Sequence, residues 1–167
     1  MANTTNTGIP TIVYVEDNAG DALILEEALR TKNHAVELLV IDQGQRALHY
    51  FKIKESARDL PPPHCILLDN YMPAVTGTEI LHYIRGSVLF NATPVYIFAP
   101  ESTYRAILKQ TRVSKESFIS KPENWGGFLQ LADLLMGSVQ AKLDNLPANA
   151  SDDQPEVHAQ GQLRAER

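Results

Sequence analysis

Residues 65–73 read Cys-Ile-Leu-Leu-Asp-Asn-Tyr-Met-Pro. Four apolar residues run without alternation into a single acid, Asp69, and then into a polar loop. A short run without the polar–apolar alternation of a half-wet strand predicts a strand buried on both faces. Pro61, Pro62 and Pro63 lie just upstream and break any helix before it. Asp69 is therefore expected at the carboxyl end of a central strand.

The flanking sequence repeats the theme. Residues 11–15, Thr-Ile-Val-Tyr-Val, form a second β-branched run that stops at Glu16, Asp17 and Asn18. A helix is expected over 19–32, with Ala22, Leu25, Ala28 and Leu29 on one face and Asn33 as its stop. Residues 35–41 read as a strand, and Asp42 as the cap of a helix holding Ala47, Leu48 and Phe51. Beyond the 70–77 loop, a helix is expected over 78–88 and a strand over 95–98, ended by Ala99 and Pro100. A weak helix over 102–110 and a very short strand at 118–119 follow. Lys121 and Pro122 then lead to a last helix over 125–143. Strand alternates with helix five times, which implies a parallel sheet covered on both faces. The expected organisation is a flexible lead over 1–9, one domain over 10–143 and a polar, disordered tail over 144–167.

Composition narrows the class. The 167 residues suffice for one domain with a core and a tail, and the hydrophobic fraction of 44% is ordinary for a globular chain. A formal net charge of −5 weighs against a nucleic-acid partner, which would need a basic face. No apolar run approaches the roughly 20 residues that span a bilayer, and residues 1–10 carry no signal pattern. Cys65 is the only cysteine, so an intrachain disulfide and a cysteine metal cluster are excluded. Its apolar setting suggests a buried, inert thiol. A cytoplasmic location is expected.

Ligands of open α/β sheets bind outside the carboxyl ends of the strands. Those ends offer Glu16 and Asp17, then Asp69, then Ala99 and Pro100, then Lys121. A lone acid at such a place is ordinarily a cap or a turn residue. Three acids and a lysine at one edge call for more. Crowded carboxylates repel and favour a hard cation such as Mg²⁺. A lysine supplies a point charge for a phosphoryl oxygen, and a carboxylate can itself act as a nucleophile toward phosphorus.

At this point the chain resembles the response-regulator receiver family of two-component signalling. The matching stretches are Ile12 to Asn18, then Leu67 to Pro73 with Gly77, and Phe118 to Pro122. The resemblance spans about residues 10–143. The segment Val-Glu-Asp-Asn-Ala-Gly-Asp-Ala also looks like the stand-alone receivers that partner bacterial phytochrome kinases. The resemblance implies a flavodoxin-like (βα)5 doubly wound sheet with strand order 2-1-3-4-5. It implies that Asp69 accepts a phosphoryl group from a histidine kinase. Asp17, Asp69 and the Tyr71 backbone carbonyl would ligate Mg²⁺, with Glu16 acting through a water. Lys121 would pair with Asp69 or its phosphate, and Lys121–Pro122 would be a cis peptide bond. Gly77 would serve a turn that other residues resist, and Phe118 would be the aromatic that swings inward on activation.

Two positions depart from the family. Ala99 stands where a Thr or Ser hydroxyl is usual, and Pro100 stands where a backbone N–H usually meets the phosphate. Two readings follow. Either phosphorylation proceeds on the remaining groups, or the domain is a degenerate receiver that binds proteins without phosphate. Ser102 or Thr103 could lend a hydroxyl from the next turn.

An enzyme of the aspartyl-phosphate phosphatase kind would want a second Asp at position 71, where this chain has Tyr. A nucleotide site is disfavoured because no Gly-rich loop follows the first strand; the acids of Asn18-Ala19-Gly20-Asp21 would repel a phosphate unless metal were present. The expectation is a signalling domain, not an enzyme, whose output is contact with other proteins. The last helix looks apolar on more than one side, through Phe128, Leu131, Leu135 and Val139. With Tyr104 and Ile107 these are the expected surface of a homodimer.

Overall fold

The computed structural model describes residues 8–57, 60–111 and 113–145. Five strands, β1 (Thr11–Val15), β2 (Glu37–Ile41), β3 (Cys65–Asp69), β4 (Val95–Ala99) and β5 (Phe118–Ser120), alternate with five helices. These are α1 (Ala19–Thr31), α2 (Gly44–Ser56), α3 (Gly77–Gly86), α4 (Tyr104–Gln110) and α5 (Trp125–Asp144). All strand pairs are parallel, and the order is β2-β1-β3-β4-β5. This is the flavodoxin-like doubly wound order expected from the sequence.

Strand side chains alternate between the two faces, so each strand feeds two cores. On one face Val13, Val15, Ile66, Leu68 and Ile97 meet α2, α3 and α4 through Phe51, Ile80, Ile84 and Ile107. On the other, Ile12, Tyr14, Leu67 and Phe98 meet α1 and α5 through Leu25, Leu29, Leu131 and Leu135. The Tyr14 and Phe98 rings pack edge-on in this second core, 5.9 Å between centroids. The α1 face predicted from Ala22, Leu25, Ala28 and Leu29 is buried as a unit. Cys65 is fully buried, and burial pushes its thiol up to about 12. No described helix is long and apolar enough to cross a membrane.

Several expectations need correction. The second apolar neighbour of α5 is α1. Phe128, Leu131, Leu135 and Val139 are all buried against α1 and the sheet, and Ile107 is buried in the opposite core. They are not available to line a dimer surface. Tyr104 is half-buried, its ring 4.8 Å from that of Phe118. Asp42 does not cap α2. The cap position is Gln43, and the Asp42 carboxylate accepts from Arg46 at 2.9 Å instead.

No cis peptide bond occurs among the described residues, so Lys121–Pro122 is trans. The local preference at an X–Pro bond is only about 0.5–1 kcal/mol, too small for sequence alone to decide. Gly77 has no positive φ. Its requirement is steric: a Cβ there would lie 2.5 Å from the Asp69 carbonyl oxygen. Asn33 does adopt a left-handed backbone, φ 53°, as the stop of α1. Asp144, placed with the tail, belongs to α5 and Asn145 follows it as the cap, while residues 146–167 and most of the lead lie outside the described residues.

Candidate functional site

β1 and β3 lie side by side and deliver their acids to the same edge. Glu16 follows β1 directly, its N–H bonded to the Ile41 carbonyl of β2 at 3.0 Å. Period-2 alternation puts Glu16 on the same face as Tyr14, and the buried Tyr14 hydroxyl donates to Glu16 Oε2 at 2.9 Å. The Asn18 N–H donates to the other oxygen, Oε1, at 3.0 Å. Asn18 also opens α1. Its Oδ1 accepts from the N–H groups of Gly20 and Asp21, which sets the first turn beside the site.

Asp69 ends β3 and is 3% exposed. Its Oδ1 accepts from the Tyr71 N–H at 3.0 Å. The next residue, Asn70, accepts from the Thr78 N–H through Oδ1 and so ties α3 to the same strand end. Thr76 caps α3 in a reciprocal pair with Glu79, which starts the helix at Gly77 directly behind Asp69. Carboxylate oxygens of Glu16, Asp17 and Asp69 lie within 4.8 Å of one another. Three hard oxygen donors at that separation fit a divalent cation.

Lys121 follows β5, its N–H held by the Ala99 carbonyl at 3.0 Å. Its ammonium reaches Glu16 Oε2 at 2.9 Å, Asp21 Oδ2 at 3.2 Å and Asp69 Oδ2 at 3.3 Å. It also stands 5.2 Å from the centre of the Phe98 ring. Burial alone would lower the Lys121 pKa. The hydrogen bond and charge of Glu16, helped by Asp69 and Asp21, outweigh it and hold the ammonium charged. Glu16 shows the converse. Burial raises its pKa most strongly, and the donors Asn18, Lys121 and Tyr14 offset part of that rise.

The sequence-predicted Glu16, Asp17, Asp69 and Lys121 thus come together, with the Tyr71 amide beside them. Ala99 is buried at the end of β4, next to the strand that carries Asp69, and Pro100 follows it. Thr103 does not supply the missing hydroxyl, because its side chain donates to the Pro100 carbonyl at 2.6 Å. Phe118 packs against Tyr104 rather than into the pocket. Two members escaped sequence reasoning. Tyr14 was legible as the residue two before Glu16 on the same strand face. Asp21 was legible as an acid in the first turn after the Asn18 cap.

The chain is similar in sequence and in fold to several known proteins. Response regulator ORR5 of rice (Oryza sativa subsp. japonica) is 29% identical over 115 residues, 69% of this chain and 80% of that protein. Response regulator Rcp1 of Synechocystis is 24% identical over 113 residues, 68% of this chain and 77% of its own. The Mn(2+)-bound form of Rcp1 shares the fold at a TM-score of 0.62, over 84% of this chain and 99% of that one. The bacteriophytochrome response regulator RtBRR is 25% identical at a TM-score of 0.62, over 89% and 86% of the two chains. Residues 12–132 match the response regulator receiver domain itself. By that match the chain belongs to the receiver domain family of two-component response regulators.

Proposed function

We propose that Asp69 accepts a phosphoryl group from a sensor histidine kinase and that the domain signals through protein contacts. The observation that carries this is the Asp69 carboxylate held between Lys121 and the acids of β1. An Asp69 oxygen forms the new bond to phosphorus as the bond from phosphorus to the donor histidine nitrogen breaks, and that nitrogen leaves with the electron pair. Asp17, Asp69 and the Tyr71 carbonyl are the residues that would hold Mg²⁺, with Glu16 acting through a water. When bound, the cation neutralises charge on the transferring group. Lys121 adds a second positive charge beside Asp69. The Tyr71 N–H fixes the orientation of the Asp69 carboxylate. Relatives described as bacteriophytochrome response regulators favour a phytochrome-type kinase as the donor. A homodimer through the last helices would draw on the exposed Trp125 and Leu134 and the half-buried Tyr104, Leu129 and Met136, since Ile107, Phe128, Leu131, Leu135 and Val139 are buried.

Ala99 and Pro100 favour a second reading, a receiver that binds partners without phosphate. Each missing donor to a charged group is worth about 1.5–3 kcal/mol. The test is incubation with Mg²⁺ and acetyl phosphate, read by intact mass. One added phosphoryl group in the native chain, and none in Asp69→Asn, is expected. No gain in the native chain, with partner binding unchanged in Asp69→Asn, would establish the phosphate-independent reading instead.

A further inference from the structure

Lys121 has three N–H donors and three carboxylates around it. The two hydrogen bonds go to Glu16 at 2.9 Å and Asp21 at 3.2 Å. Asp69 is left with the longest approach, 3.3 Å. Glu16 is not free to move. It is 1% exposed, and the Tyr14 hydroxyl and the Asn18 N–H both hold it. Asp21 differs. It lies at the solvent edge, its side chain 28% exposed, and within its own helix turn it has no other role in the site. Among the described residues, Lys121 is the only cation within ion-pair distance of Asp69. Ala99 at the end of β4 brings no hydroxyl, and Pro100 after it brings no N–H. The disposition of this one ammonium therefore sets how much positive side-chain charge, beyond that of a bound cation, meets a group on Asp69.

We propose that Asp21 is a positioning residue that competes with Asp69 for the Lys121 ammonium and so limits how tightly the site holds a phosphoryl group. This rests on the phosphoacceptor reading of Asp69. The bond to Asp21 keeps the ammonium displaced toward α1. A phosphoryl group on Asp69 gains the full ion pair only as that bond is given up. Removing the Asp21 charge frees the ammonium without touching a residue that would ligand the cation.

The test uses beryllofluoride, a phosphoryl mimic, titrated into the full chain at saturating Mg²⁺ and followed by fluorine NMR. Asp21→Asn is expected to tighten binding about two- to fivefold, the scale of a partly exposed ion pair. Asp21→Glu, which keeps the charge and can still reach the ammonium, is expected to restore the native affinity. In a Lys121→Met background Asp21→Asn is expected to change nothing. An equal gain in that background would show a general charge effect and overturn the proposal, as would native affinity in Asp21→Asn. Should the native chain bind no beryllofluoride, the phosphoacceptor reading itself fails. The Lys121 Cε resonance of the ligand-free protein then decides the pairing separately: Asp21→Asn shifts it if the pair exists, and leaves it in place if it does not.

Discussion

Glu16 carries the heaviest electrostatic load of any side chain in the pocket. It is buried, it lies beside two other carboxylates, and three protein donors meet its two oxygens. Tyr14 is the neutral side chain among these donors. Burial and the neighbouring Glu16 charge hold its hydroxyl well above the ordinary phenol range, so it stays a donor at any physiological pH. Tyr14→Phe keeps the ring that packs on Phe98 and removes only the hydroxyl. The expected cost is about 1.5–3 kcal/mol, the worth of a hydrogen bond to a charged group. It would appear as a lower urea midpoint with an unchanged slope. An unmoved midpoint would mean that Lys121 and Asn18 satisfy Glu16 unaided.

The joint between α1 and α5 shows how elements are locked together. Apolar faces supply its centre, and one acid fastens its edge. Asp133 of α5 accepts from Lys32 at 2.6 Å and from His34 at 3.0 Å, just past the end of α1. The Lys32 hydrogen bond, with His34 second, holds the Asp133 carboxyl below its usual range. A lowered folded-state pKa means the stabilisation is present above the unfolded pKa of about 3.9 and is lost as pH falls through the folded value. Asp133→Asn should therefore lower the melting temperature at pH 7. The difference from the native chain should shrink below about pH 4 and also in high salt, because the pair is exposed. Thermal circular dichroism across that range checks both. A difference that stays constant with pH would assign the effect to packing instead.

At the scale of the whole molecule, the acidic edge opposes folding until a cation meets it. Glu16 and Asp17 come from the end of β1 and Asp69 from β3, so only the folded sheet brings them within 4.8 Å. An ion that binds this arrangement and not the unfolded chain stabilises every element through linkage. At a concentration one hundred times its dissociation constant the gain is about 2.7 kcal/mol. Adding Mg²⁺ should raise the melting temperature by several degrees, and Asp17→Asn should abolish most of the rise. A native chain whose melting temperature ignores Mg²⁺ and Mn²⁺ alike would sink the divalent site.

The sequence by itself determined the strands, the burial of the central ones on both faces, and the placing of Glu16, Asp17, Asp69 and Lys121 at strand ends. Each of these follows from local pattern. The unbroken apolar run 65–68, too short for a helix and preceded by three prolines, reads as a doubly covered strand, and the acid that stops it sits at its end. Tertiary structure decided what no local pattern encodes. Strand alternation puts Tyr14 beside Glu16, but it is α1 and α5 closing over that face that bury Tyr14. Asp21 meets Lys121 across 100 residues because β1 and β5 both open toward the start of α1. The broad apolar face of α5 found its second neighbour in α1, and the bond before Pro122 settled as trans. Contacts between distant segments depend on how helices dock, and docking is set by the assembled core rather than by any one stretch of chain.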